Sequence, residues 1–235
     1  MQTTQKRKRA AQARNVNRLR NGIIGFAVLL AAVVAGYGLL YSSGVTESGD
    51  IVEGEHYRVI DEPLRRRPGT PIVVTEFFSY GCIHCRNFEP LIAAWQRDLP
   101  DDVRFERAPV SFNAAWALLA QAYFALEAAG GLEANHERFF RAIHDNGRQF
   151  LSVDDIADFV AGRGVERGAF LDAFNSAPVR RRQAERNALS RRFQIAVTPT
   201  VVVAGRYAVT MDAGRRQALK TVDYLIGLER GGAES

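Results

Sequence analysis

The chain has 235 residues and two cysteines. Both lie in the stretch Phe77 to Phe88, FFSYGCIHCRNF, separated by two positions. Three chemistries compete for such a pair: a structural disulfide, half of a metal site, or a redox couple. A cross-link stabilises mainly by closing a long loop in the unfolded chain, and Cys82 to Cys85 is nearly the shortest loop available. A structural zinc site needs four ligands, and His56, His136 and His144 are not paired at ligand spacing. Thiol–disulfide exchange needs only one attacking thiolate and a neighbour that resolves the mixed disulfide, so redox chemistry is the reading the spacing favours. From another class, Cys82, Cys85 and a histidine would suit a copper-binding or assembly module, because soft thiolates select Cu(I).

The surrounding sequence says how the pair is positioned. Pro71 to Phe78, PIVVTEFF, is β-branched and aromatic and reads as a buried strand, bounded by the Pro68-Gly69 turn signal and ended by Gly81. After it, RNFEPLIAAWQRDL carries Phe88, Leu91, Ile92 and Trp95 at helical spacing. Strand, short turn and helix put Cys82 near a helix N-terminus, where unpaired N–H groups and the macrodipole stabilise an anion. Cys82 is therefore expected to be the exposed, low-pKa nucleophile, and Cys85, one position into the first turn and more buried, the resolving thiol. A protonated His84 between them would stabilise the thiolate further.

Farther along, Val103 to Ala108 (VRFERA) reads as a second strand, Pro199 to Ala204 with Tyr207 to Val209 as a hairpin about Gly205, and Arg215 to Arg230 as a final helix. Between the strand pairs lies a helical block, NAAWALLAQAYFAL, HERFFRAIHD, SVDDIADFV and GAFLDAF, in which Ser152 and Asp155 have capping-box spacing. PVRRRQAERNALSRRF keeps Val179, Leu189 and Phe193 among many charges and reads as a solvated amphipathic helix leading back to the sheet.

The net charge of +5 does not point to nucleic acid. Lys6, Arg7, Lys8, Arg9, Arg14, Arg18 and Arg20 crowd the first twenty residues without an acid, and the remaining 24 basic side chains face 26 acidic ones. Gly22 to Tyr41, GIIGFAVLLAAVVAGYGLLY, has no charged side chain and is long enough to cross a hydrocarbon core of roughly 30 Å as a helix. A cleaved signal peptide is the alternative, but its apolar region is usually only about 7 to 15 residues. The expectation is an uncleaved anchor in a bacterial inner membrane, the basic tail cytoplasmic and the body from Ser42 onward in the periplasm, where disulfides persist. The expected division is a tail over 1–21, a transmembrane anchor over 22–41, a linker and lead-in over 42–60, a first part of the catalytic fold over 61–112, a helical insertion over 113–178 and a second part over 179–235.

EFFSYGCIHC after a strand, then a helical insertion, then VTPT before a hairpin, resembles the DsbA-type thiol:disulfide oxidoreductases over roughly Gly54 to Leu228. The resemblance implies an α/β thioredoxin fold interrupted by a helical domain, here preceded by a single transmembrane helix. It implies that Cys82 is the nucleophile and Cys85 the resolving thiol; a depressed pKa of the nucleophile is a known property of that family and comes with the likeness. Pro199 matches the family's cis-proline, which leaves the backbone of Thr198 free to pair with a substrate strand. Glu76 matches a buried acid beneath the active site that helps move protons, and it shares a strand face with Val74 and Phe78. Ile83-His84 stands where the best-known members have Pro-His, and Thr198 where valine is common, at places that tune redox potential and substrate choice. The implied enzyme introduces disulfides into periplasmic proteins with free thiols, is reoxidised by a DsbB-like quinone reductase, and needs no organic cofactor and no metal. A periplasmic reductase or isomerase is the alternative that Thr198 encourages, though no separate dimerisation domain is visible.

Overall fold

In a computed structural model of the chain, residues 24–31, 33–34, 36, 51–67 and 69–231 are described. Contacts divide the chain into two compact units, Met1–Asp50 and Ile51–Ser235. In the first, residues 24–31, 33–34 and 36 are helical, and Ile24, Phe26, Leu29 and Val33 expose their side chains. No helix among the described residues is long and apolar enough to cross a membrane. The expected span Gly22 to Tyr41 runs beyond the described residues at both ends, and the basic tail, residues 42–50 and Pro68 lie outside them.

The second unit is built on a five-stranded sheet: β1 (Arg58–Val59), β2 (Ile72–Phe78), β3 (Val103–Pro109), β4 (Thr200–Val203) and β5 (Tyr207–Val209), in the order β1-β5-β4-β2-β3. β2 runs parallel to β3 and antiparallel to β4, so it is central and covered on both faces. That is why its sequence is an almost unbroken apolar run. Val74 packs with Phe88, Ile92, Val222 and Leu225 on one face. Phe77 packs with Ala108, Phe193 and Val202 on the other. The parallel pair requires a crossover, supplied by α1 (Ile83–Arg97). β4 and β5 are joined by a turn through Ala204 and Gly205, both at positive φ (53° and 63°), in which the Arg206 N–H donates to the Val203 carbonyl at 2.9 Å. α7 (Arg215–Gly231) then closes the α1 face.

Between β3 and β4 come α2 (Ala114–Ala128), α3 (Leu132–Phe140), a π-helical turn (Arg141–Asp145), α4 (Val153–Val160), α5 (Arg167–Phe174) and α6 (Ala177–Arg192). Two local details differ from the sequence reading. HERFFRAIHD is not one helix but the end of α3 running into the π turn. Ser152 caps α4, accepting the Asp155 N–H at 3.1 Å, but the Asp155 carboxylate accepts from Leu151, one residue earlier than a capping box would place it. The strand β1 carries no pattern of its own; two residues are held by pairing with β5.

The insertion closes on the end of β2. Phe78, the last residue of β2, and Tyr80 beyond it enter a core with Tyr123, Phe139, Phe140 and Phe150, the Tyr80 and Phe139 rings stacked at 4.9 Å. Trp116 of α2 lies on Gly81: a Cβ there would stand 2.5 Å from Nε1 and 3.0 Å from Cδ1 of the indole. Glycine at 81 thus permits the close approach of the insertion to the cysteine loop. Gly81→Ala is expected to displace Trp116 and destabilise the protein by about 1–3 kcal/mol. Urea unfolding would measure this, with Trp116 fluorescence followed in a Trp95→Phe background; an unchanged midpoint and spectrum would show that the contact is slack.

Candidate active site

The first turn of α1 decides the chemistry of the two cysteines. Cys82 is its N-cap, with extended backbone (φ −96°, ψ 116°), and Cys85 is the third helical residue. The helix therefore begins at Ile83, ahead of the stretch from Arg86 that the apolar spacing marks. The Cys85 N–H reaches the Cys82 sulfur at 3.4 Å, one of the orphan donors of a helix start satisfied by a thiol in place of a hydroxyl. Both cysteines are free thiols. A hydrogen bond from the Cys85 thiol has the largest effect on Cys82; burial opposes it, while Thr198 and the backbone N–H groups of Cys85 and His84 add to it. The Cys82 pKa falls to about 5. Burial drives Cys85 the opposite way, well above the usual thiol range, and the neighbouring Cys82 adds to the rise.

Cys82 is only 7% exposed, so the expectation of an open nucleophile needs correction. Its cover comes from far along the chain: the Thr198 carbonyl lies 3.4 Å from its sulfur. The Thr198–Pro199 peptide is cis, Pro199 is buried, and Thr200 returns a hydrogen bond to the Val197 carbonyl at 2.9 Å before entering β4. Ile83 and Val197 are exposed beside the buried sulfur. The His84 side chain is exposed as well, and this residue favours the thiolate through its backbone N–H.

Beneath the pair lies a row of polar groups within the apolar core. Glu76 is 1% exposed and faces Arg107 across the parallel β2–β3 register. Arg107 donates Nε–H to Glu76 at 3.1 Å and Nη2–H to Glu89 of α1 at 2.8 Å. His136 of α3 brings Nε2 to 3.2 Å from the other Glu89 oxygen, within ion-pair distance but not aligned as a hydrogen bond. Its Nδ1 meets the Tyr80 hydroxyl at 2.8 Å. Burial raises the Glu76 carboxyl to about 7 despite Arg107, with Glu89 and Cys82 contributing in the same direction. Burial would raise Glu89 too, but His136 and Arg107 outweigh it and hold that carboxyl below its ordinary value. His136 is lowered, chiefly by burial, and is neutral near pH 7.

Arg107, Glu89, His136 and Tyr80 were not singled out from sequence. Glu89 had a usable signal, since four residues after Cys85 on a helix is the same face. Arg107 had none, because its partner is set by strand register. Among the described residues no group of three or more His, Cys, Asp or Glu side chains is placed to hold a metal ion. The arrangement combines one thiol primed to ionise, one that retains its proton, and a buried carboxyl able to gain or lose a proton near neutrality.

A family model described as thioredoxin matches residues 64–221, a span that includes Cys82, Cys85 and Pro199. The thiol:disulfide interchange protein DsbA of Azotobacter vinelandii is 35% identical over 208 residues, covering 86% of this chain and 97% of that protein. DsbA of Pseudomonas aeruginosa is 34% identical over 190 residues, covering 80% and 90%. The crystal structure of the Pseudomonas aeruginosa protein superposes with a TM-score of 0.76 over 80% of this chain and 99% of its own, at 34% identity. The oxidoreductase DsbA of Xylella fastidiosa gives 0.72 over 77% and 98%, also at 34% identity. The family model spans the dithiol, the proline loop and the helical insertion, and the chain belongs to the DsbA family of thiol:disulfide oxidoreductases, built on a thioredoxin fold.

Proposed function

We propose that the protein oxidises thiols of periplasmic proteins, with Cys82 as nucleophile and Cys85 as resolving thiol. The observation that carries this reading is the unequal proton affinity of the two thiols, about 5 for Cys82 against a strongly raised Cys85. A substrate thiolate attacks the Cys82 sulfur of the Cys82–Cys85 disulfide. The bond to Cys85 breaks, and the Cys85 sulfur leaves with the electron pair. A thiol held so far above the usual range takes up a proton at once, and Glu76, near 7, is the buried donor placed to help supply it. A second substrate thiolate then displaces Cys82, which leaves readily because its thiolate is stable. Two electrons have passed from the substrate to the enzyme, and a DsbB-like quinone reductase removes them. Thr198 presents backbone to the substrate strand beside Pro199, while Ile83 and His84 tune the potential. The uncharged run Gly22 to Tyr41 tethers this activity to the inner membrane.

Cys85→Ser is expected to accumulate mixed disulfides through Cys82, because attack still occurs and resolution does not, whereas Cys82→Ser should accumulate few. Equal trapping in non-reducing gels would overturn the two roles.

Direction of electron flow is tested by stability. The Cys82 pKa is depressed on folding, so its thiolate contribution is fully present above the unfolded-state pKa and is lost as pH falls through about 5. At pH 7, about two pH units above that value, it is worth about 2.7 kcal/mol. Closing a loop as short as Cys82 to Cys85 contributes about 1.9 kcal/mol on a chain-entropy estimate. The reduced protein should therefore melt above the oxidised one at neutral pH, with the order reversing near pH 6. An oxidised form that melts higher throughout pH 4 to 8 would favour a reductase.

For the tether, a reporter fused after Ser235 should be active only outside the cytoplasm, and the isolated protein should retain its N-terminus. A mature chain beginning near Gly36 would remove the anchor.

A further inference from the structure

Arg107 is one cation serving two buried carboxylates. It offers Nε to Glu76 at 3.1 Å and Nη2 to Glu89 at 2.8 Å, so neither carboxylate is held by a two-bond fork. The unused ring nitrogen of His136 lies beside the second Glu89 oxygen, 3.2 Å away, and has no aligned partner. Its proton can be placed. If Nε2 were bare, a lone pair would face a carboxylate, so the N–H is at Nε2 and Nδ1 accepts from the Tyr80 hydroxyl at 2.8 Å. The ring is held in that orientation by an aromatic cage of Phe78, Tyr123 and Phe140.

Resting on the role given to Glu76 above, we propose that His136, carried by the helical insertion, is a positioning residue: a reserve donor to Glu89 that lets Arg107 turn toward Glu76 when Glu76 ionises. As Glu76 loses its proton, the guanidinium is drawn to it and Glu89 loses part of the cation it shares. A small rotation of the Glu89 carboxylate brings it into line with the His136 N–H, and the loss is made good. Without that donor Glu89 keeps Arg107, and ionised Glu76 is left less compensated. The helical insertion thereby influences proton movement under a dithiol that belongs to the thioredoxin fold.

Several other charged or titratable groups act on this row. Arg107 of β3, Glu89 of α1, Tyr80 of the connecting loop and Glu137 of the same helix influence or touch His136, and Tyr123 of α2 packs against it. Glu76 is influenced by Arg107, Glu89 and Cys82, and in turn acts on Cys85, Tyr80 and Tyr123.

The test follows the Glu76 side-chain carboxyl by carbon-13 NMR in the full oxidised chain, the resonance assigned with Glu76→Gln. His136→Phe keeps a ring in the cage and removes both nitrogens; the Glu76 midpoint is expected to rise by about one pH unit. His136→Gln can still donate an N–H to Glu89 and should restore most of the wild-type value. If His136→Phe does not fold, Tyr80→Phe serves instead: it frees the imidazole to change tautomer and should move Glu76 upward by a smaller amount. An unmoved Glu76 midpoint in folded His136→Phe or Tyr80→Phe, or equal midpoints for His136→Phe and His136→Gln, overturns the proposal. The pH profile of disulfide transfer is measured beside it. A Glu76 midpoint that rises while the transfer profile stays fixed upholds His136 and removes the proton-transfer role assigned to Glu76.

Discussion

Two buried carboxylates, Glu76 and Glu89, share the guanidinium of Arg107, and the organisation of the site follows from that sharing. A fully paired Glu76 would be an ordinary buried salt bridge, ionised at every physiological pH and of no use to a neighbouring thiol. A wholly unpaired one would remain protonated. Sharing leaves it between the two, so that burial raises its carboxyl to about 7 while Arg107 restrains the rise. The parallel register of β2 and β3 is what delivers Arg107 opposite Glu76, and α1, the crossover that a parallel pair demands, is what brings Glu89 within its reach. The same crossover helix starts at Cys82. Sheet topology, proton affinity and thiol chemistry are thus fixed by one connection.

The helical insertion grips the cysteine loop at several independent points. His144 meets the Tyr80 carbonyl at 2.8 Å, His136 meets the Tyr80 hydroxyl, Arg86 pairs with Asp145 at 3.1 Å, and Trp116 lies on Gly81. Phe78 and Tyr80 are buried within its core. A loop held in this way has its N–H groups aimed before any charge develops, which is the condition for stabilising a thiolate without reorganisation. His144 and Asp145 both sit on the π-helical turn, where the change in helical pitch lets adjacent side chains reach the loop and the first turn of α1.

Local features of this chain are legible in its sequence, and long-range ones are not. The strand before Cys82, the helix after it, the hairpin about Gly205 and the buried face shared by Val74, Glu76 and Phe78 all follow from period and turn chemistry over a dozen residues. The cover over Cys82 does not, because Thr198 is 116 residues distant and no periodicity points from one to the other. Nor does the Glu76–Arg107 pair, since a one-residue slip of β3 would place a different side chain opposite Glu76. β1 lies beyond such reading because two residues, Arg58 and Val59, are strand only by virtue of β5. Asp155 shows a finer limit: the spacing identifies the cap, but which backbone N–H the carboxylate takes depends on the path of the chain entering the helix.

Ionisation and burial together set how readily each of the two sulfurs is oxidised. Peroxides convert thiolates to sulfenic and then to irreversible sulfinic and sulfonic acids, at sites that are both ionised and accessible. Cys85 is fully buried and holds its proton, so it offers neither condition. Cys82 is ionised near neutrality yet only 7% exposed, beneath the Thr198 carbonyl. Small oxidants therefore meet one narrow target, and that target is itself locked in a disulfide whenever the enzyme is charged for work. The fold in this way shelters its two thiols from stray oxidation.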